Sequence, residues 1–132
     1  MIFVDTNFFL RFLLKDTDEQ YQEAKKLFLE GAQGKVSLIT STIVFFEIYW
    51  VLSSFYKRQK PQLISLLTKI LALTFITLEE RSILTESLKF FKEKNLNLED
   101  CYNLSYAKFQ KVESFKTFDA KLAKIFQATA NT

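Results

Sequence analysis

The stretch Met1-Ile2-Phe3-Val4-Asp5-Thr6-Asn7 does most to limit what this chain can fold into. Its apolar part is too short for anything but a buried strand, and it ends in a carboxylate followed by a hydroxyl and an amide. Asp5 is therefore expected at the carboxyl end of a first strand. In open α/β sheets ligands collect at that edge, because loops diverge there and helix N-termini direct free N–H groups outward. One aspartate in such a place is a helix cap, whereas several acids delivered to the same edge make a metal site.

With 132 residues the chain can bury one sizeable core but not two, so a single domain over residues 1–132 is expected. A hydrophobic content of 48% excludes a disordered tail. The net charge of +3 permits a polyanionic partner without arguing for one. Histidine is absent and Cys101 is the single cysteine, which removes an internal disulfide, imidazole bases, His-dependent triads and Cys- or His-based zinc sites. Any catalysis must run on carboxylates, hydroxyls, lysines or a metal held by oxygen. Asp5, Arg11, Lys15 and Asp16 interrupt any leader-like pattern, and the longest apolar run, residues 43–52, is shorter than a membrane span and carries Glu47. A cytoplasmic protein without a membrane segment is expected.

In chain order, Thr6 or Asn7 is positioned to cap a nearly all-apolar helix through about Leu14. Residues 17–20 read as a capping box opening an amphipathic helix that Gly31 and Gly34 stop. Residues 36–39 predict a second strand, and Thr40, Ser41 and Thr42 supply capping hydroxyls for a helix carrying Glu47 to about Tyr56. Pro61 suits a first helical position before an apolar-faced helix, and residues 73–78 predict a third strand. A helix over residues 79–94 with an acidic first turn follows, then one capped by Asn95 or Asn97 that runs to about Val112. Residues 114–118 predict a fourth strand, Asp119 caps a last helix to about Gln127, and residues 128–132 read as a frayed, polar end. Such alternation implies a parallel sheet covered on both faces.

Four acids stand out. Glu47 is surrounded in sequence by apolar and aromatic residues, so most orientations of its helix would bury the carboxylate; the bland alternatives are the one solvated position or a cationic partner. Asp100 falls in a helix's first turn, where the dipole alone favours it, and Asp119 and Asp5 are good caps. All four positions nonetheless map to the carboxyl edge of the predicted sheet. Carboxylates converging there repel one another unless protonated or bridged by a cation, and without His or a thiolate cluster only a hard ion such as Mg²⁺ or Mn²⁺ suits them. Such an ion activates water and stabilises charge during in-line displacement at phosphorus, which points to phosphodiester chemistry on a nucleic acid.

The order Asp5-Thr6-Asn7, then Phe46-Glu47-Ile48-Tyr49-Trp50-Val51-Leu52, then Leu98-Glu99-Asp100-Cys101, then Thr117-Phe118-Asp119 resembles the PIN domain, in particular the VapC ribonuclease toxins of bacterial toxin-antitoxin pairs. The resemblance covers nearly the whole chain. It implies a three-layer α/β sandwich with a parallel sheet of four to five strands in order 3-2-1-4-5, and a Mg²⁺- or Mn²⁺-dependent endoribonuclease. Carried over position by position, it makes Asp5, Glu47, Asp100 and Asp119 the catalytic acidic cluster and the metal-binding set, with Asp5 and Asp100 direct ligands, and Thr6, Asn7 and Thr117 their supports. The family's usual fifth strand has no counterpart in residues 128–132.

The same resemblance implies an RNA substrate, a cognate antitoxin and a homodimer. Of the lysines and arginines, Arg11, Lys116 and Lys121 are the expected phosphate contacts because they are expected close to the acidic edge; the others read as a solvated face. A PIN-like module that binds RNA or protein with little turnover is the alternative. An aspartyl-phosphate phosphatase would require a second aspartate at position 7, where Asn stands.

Overall fold

The computed structural model describes residues 1–130, the side chain of residue 130 excepted. The chain divides into two compact units, Met1–Arg81 and Ser82–Thr132. No helix among the described residues is long and apolar enough to cross a membrane.

The first unit holds a parallel sheet of three very short strands, β1 (Ile2–Phe3), β2 (Leu38–Ile39) and β3 (Ile76–Thr77), in the order β1-β2-β3. Ile2 pairs with Leu38 and Leu38 with Ile76; Phe3 pairs with Ile39 and Ile39 with Thr77. This is the 3-2-1 part of the expected order. The anticipated central position and burial of the first strand do not hold: β1 is an edge of this sheet, Ile2 and Phe3 are exposed, and only Val4 is buried. The reason is a missing neighbour. Residues 114–118, expected as the fourth strand, form no ladder, and the unit to which they belong has no strand among its described residues for them to pair with. Without a partner, extended backbone takes local bonds, as when Asp119 N donates to Thr117 Oγ1 at 3.1 Å.

Helices α1 (Thr6–Leu14) and α2 (Asp18–Ala32) pack on each other through an aromatic cluster, Phe28 lying 5.4 Å from Phe9 and 4.9 Å from Phe12 between ring centroids, with Phe75 joining from before β3. Much of the phenylalanine surplus is thus ordinary core. Asp5 rather than Thr6 or Asn7 caps α1, and the box expected at Thr17 does not form, since Thr17 makes no side-chain cap bond. Gly31 does not stop α2. It is buried inside the helix, where an added Cβ would come 2.6 Å from Leu38 Cδ1, so glycine here permits α2 to approach β2 closely.

Ser41 caps α3 (Thr42–Trp50) through Val44 N. The helix expected to run on to Tyr56 widens into a π-helical turn at Val51–Phe55, where Ser53 Oγ donates to the Trp50 carbonyl and competes with the regular ladder. Helix α4 (Lys60–Leu71) begins one residue ahead of Pro61 with a capping box between Gln59 and Gln62. In the second unit, α5 (Arg81–Glu93, its first residue in the first unit) starts too late to include Glu79 and Glu80, because Glu80 instead accepts a hydrogen bond from Thr42 Oγ1 at 2.6 Å. Helix α6 (Leu98–Phe109), capped by Asn97, ends ahead of Val112 at a left-handed Lys111. Helix α7 (Ala120–Ala130) runs past Gln127 without fraying at residues 128–130; residues 131–132 of the expected frayed end lie outside the described residues.

Arg81 holds the end of the sheet unit together. Its guanidinium donates to the carbonyls of Leu71, Leu73 and Ile76 at 2.8–3.1 Å, satisfying the end of α4 and the approach to β3 in one fork. Replacing it by Met strands those carbonyls, and Arg81→Met is expected to cost about 2 kcal/mol, read as a lower urea midpoint. Arg81→Lys should recover little of this, because an ammonium lacks the planar fork.

Candidate functional site

The candidate residues fall into two groups, one in each unit. In the first, the peptide leaving β1 is fixed by its neighbour: Val4 N donates to the Ile39 carbonyl at 2.8 Å, and the buried Thr40 hydroxyl returns a bond to the Val4 carbonyl at 2.8 Å. Thr40 N in turn donates to the Thr77 carbonyl at 3.0 Å, so one residue joins the carboxyl ends of all three strands. Sequence reading took Thr40 only as a capping hydroxyl. Its distinguishing signal was its place directly after a strand, where a buried side chain can bond across to the next strand.

Asp5 follows this clamp. Its Oδ1 accepts from Thr6 N at 2.8 Å and lies 3.4 Å from Thr6 Oγ1, while the carboxylate as a whole is exposed. Thr6 is buried and Asn7 exposed. The cap consumes one oxygen and orients the other lone pairs outward. Glu47 takes the solvated position, the alternative to burial that its sequence context left open. It shares its stripe of α3 with Ile43 and Trp50, 57% and 40% exposed, so even a nearly all-apolar helix presents one face to solvent, and Glu47 occupies it.

In the second unit the acids meet. Asp100 sits in the first turn of α6, where its backbone N–H bonds Asn97 Oδ1 at 2.8 Å and its side chain is half-buried. Burial pushes its carboxyl above the usual range, the nearby Asp119 carboxylate adds to this, and Glu99 adds a smaller repulsion. Asp119 caps α7, with Oδ1 accepting from Leu122 N at 3.0 Å, and Thr117 Oγ1 braces its backbone. Glu99 was passed over in the sequence as a neighbour of Asp100. Its Oε1 is buried and makes no hydrogen bond among the described residues. A buried carboxylate oxygen without a hydrogen bond, next to the raised Asp100 carboxyl, is an arrangement that a cation relieves.

The expected phosphate contacts are differently placed. Arg11 is ion-paired to Asp16 at 2.8 Å and is bonded to Tyr56 as well. Lys121 is exposed, with Nζ donating to the Asn95 carbonyl at 2.7 Å, and Lys116 is exposed.

Among the described residues no three Asp, Glu or Cys side chains stand close enough to hold a metal ion by themselves. The donor chemistry of Asp100, Asp119 and Glu99 nevertheless fits a hard divalent cation, since Mg²⁺ is commonly held by one or two carboxylates with water and substrate phosphate completing the shell.

The raised Asp100 pKa fixes the sign of a pH effect. The folded state holds the Asp100 proton more tightly than the unfolded chain, so Asp100 withdraws stability as pH rises from the unfolded carboxylate pKa through the folded one. In metal-free buffer the melting temperature of Asp100→Asn relative to the wild type should therefore increase across that window, measured by thermal melts at stepped pH.

The sequence matches the family model of the PIN domain over residues 2–126, a span that includes Asp5, Glu47, Asp100 and Asp119. Comparison with curated proteins and with solved structures gave no match.

Proposed function

The chain belongs to the PIN domain family, whose members are generally nucleases that use divalent metal ions, and from that premise we propose that it is a Mg²⁺- or Mn²⁺-dependent endoribonuclease. Because the family match extends through both compact units, we read residues 1–132 as one PIN domain. The observation that carries the chemistry is the half-buried Asp100, raised by its surroundings and by Asp119, beside a buried Glu99 oxygen without a hydrogen bond.

In this reading Asp100 and Asp119 hold the cation, and Asp5 and Glu47 complete the acidic set that the resemblance assigns. Bound there, a divalent ion would activate water and neutralise charge developing on the phosphodiester. The chain's own part is to present carboxylates in fixed orientation. Asp5 is aimed by its α1 cap and by the Thr40 clamp behind it; Asp119 is aimed by its α7 cap and by Thr117. Thr6 and Asn7 support the Asp5 turn. Lys116 and Lys121 contribute positive charge for RNA phosphates on the Asp119 side, and Arg11 on the Asp5 side.

The finer reading is the toxin of a VapC-type toxin-antitoxin pair, a cytoplasmic homodimer inhibited by a cognate antitoxin. The solvent stripe of Ile43 and Trp50, with Phe55 75% exposed in the π-helical turn, supports it by offering apolar surface for a protein partner.

RNA cleavage by the purified chain tests the proposal. Cleavage is expected to stop in EDTA, return with Mg²⁺ or Mn²⁺, and disappear in Asp5→Asn and Asp100→Asn variants that still fold. Thr117→Ala should retain activity reduced by about 10–100-fold, as for loss of a group that orients a ligand. RNA binding with no metal-dependent cleavage would instead identify a binding module, and full activity in both aspartate variants would refute the assignment.

A further inference from the structure

Within the first unit, one face of α1 and one face of α2 form an open cavity of about 220 Å³ lined by Asn7, Phe8, Arg11, Gln20 and Glu23. Helical spacing explains why these five meet. Asn7 and Arg11 are four residues apart on α1, Gln20 and Glu23 three apart on α2, and the two helices are held together by the Phe12 contacts with Tyr21 and Phe28. Four of the five side chains are polar, and Asn7, Gln20 and Glu23 are exposed, so the depression opens to solvent with hydrogen-bonding groups on its wall. The cavity is smaller than those of about 300–1,000 Å³ that enclose drug-sized ligands, and suits a single planar ring system.

We propose that this cavity is a subsite for one guanine base of the RNA strand, an assignment that rests on the ribonuclease reading. RNA is read by bases splayed from single strands, stacked on aromatic rings and hydrogen-bonded along their edges. The half-buried Phe8 ring supplies the stacking wall. Guanine alone among the four bases presents two adjacent acceptors, O6 and N7, that match a guanidinium, and two adjacent donors, N1–H and N2–H, that match a carboxylate. Arg11 and Glu23 are that pair. The bonds from Arg11 to Asp16 and Tyr56 hold its guanidinium in place and leave further N–H donors for a base, while Glu23 is an exposed residue of the cavity lining. Asn7 and Gln20 can donate or accept and so fit around either edge. Asn7 is two residues from Asp5, which places base recognition on the same turn as a proposed catalytic acid.

Titration of the full chain with GMP, AMP, CMP and UMP, followed in ¹⁵N–¹H correlation spectra, tests this without requiring turnover. GMP is expected to shift the amides of Asn7, Phe8, Gln20 and Glu23 and to bind about tenfold more tightly than the other three. Glu23→Gln, a surface change of the same size, should bring GMP to their level. No shift at these residues, an equal response to all four nucleotides, or guanine selectivity that survives in Glu23→Gln would overturn the proposal. RNA cleavage assayed on the same preparation separates the two readings. Metal-dependent cleavage without guanine selectivity refutes the subsite alone; guanine selectivity in a chain that cleaves nothing supports the subsite and refutes the ribonuclease.

Discussion

The bond from the Thr40 hydroxyl to the Val4 carbonyl is the constraint on which the sheet unit depends. Each strand contributes only two residues to the ladder, too few to hold a parallel sheet by regular pairing alone. Thr40 adds the next rung twice, through its hydroxyl to β1 and through its backbone N–H to the Thr77 carbonyl. Asp5 leaves the sheet one residue past Val4, so the direction of its carboxylate follows from that rung and from the α1 cap it makes. Arg81 does the corresponding work behind β3. A short sheet with strong local ties concentrates precision at the carboxyl edge, where α/β folds place their chemistry.

The second unit solves a different problem. Asp100 and Asp119 are brought together by two helix N-termini, and helix N-termini favour negative charge. Burial and mutual repulsion oppose that preference at Asp100, and the opposition wins. The carboxyl is thus left more basic than an ordinary aspartate, and Glu99 keeps a buried oxygen without a bond. Acids in a fold of this size are normally exposed or paired; Asp119 is exposed and caps α7, whereas Asp100 is half-buried and Glu99 has a buried oxygen with no hydrogen bond among the described residues, and these two depart from the rule.

Helix caps and chain order were legible in the sequence because they rest on local chemistry. Ser41, Asn97 and Asp119 cap where their side chains and the following apolar periodicity place them, the alternation of strands and helices implies the parallel pairing, and the 3-2-1 order is the part of the order implied by the resemblance that the sheet shows. What was not legible depends on neighbours far away in sequence. Residues 114–118 have strand-like composition, yet a strand exists only with a partner ladder. Glu47 is exposed because nothing among the described residues covers one stripe of α3, and Gly31 is needed for the approach of α2 to β2, neither of which periodicity can show. Glu99 was overlooked because a second acid in a helix's first turn looks like dipole compensation until its burial is known.

The central claim is the proposal that Asp100 and Asp119 hold a divalent cation. Titration of the Asp100 side-chain carboxyl by ¹³C NMR, with and without Mg²⁺, addresses it directly. Without metal the carboxyl should titrate above the ordinary aspartate range, and saturating Mg²⁺ should move it below that range. An Asp100 titration that Mg²⁺ leaves unchanged would contradict the account.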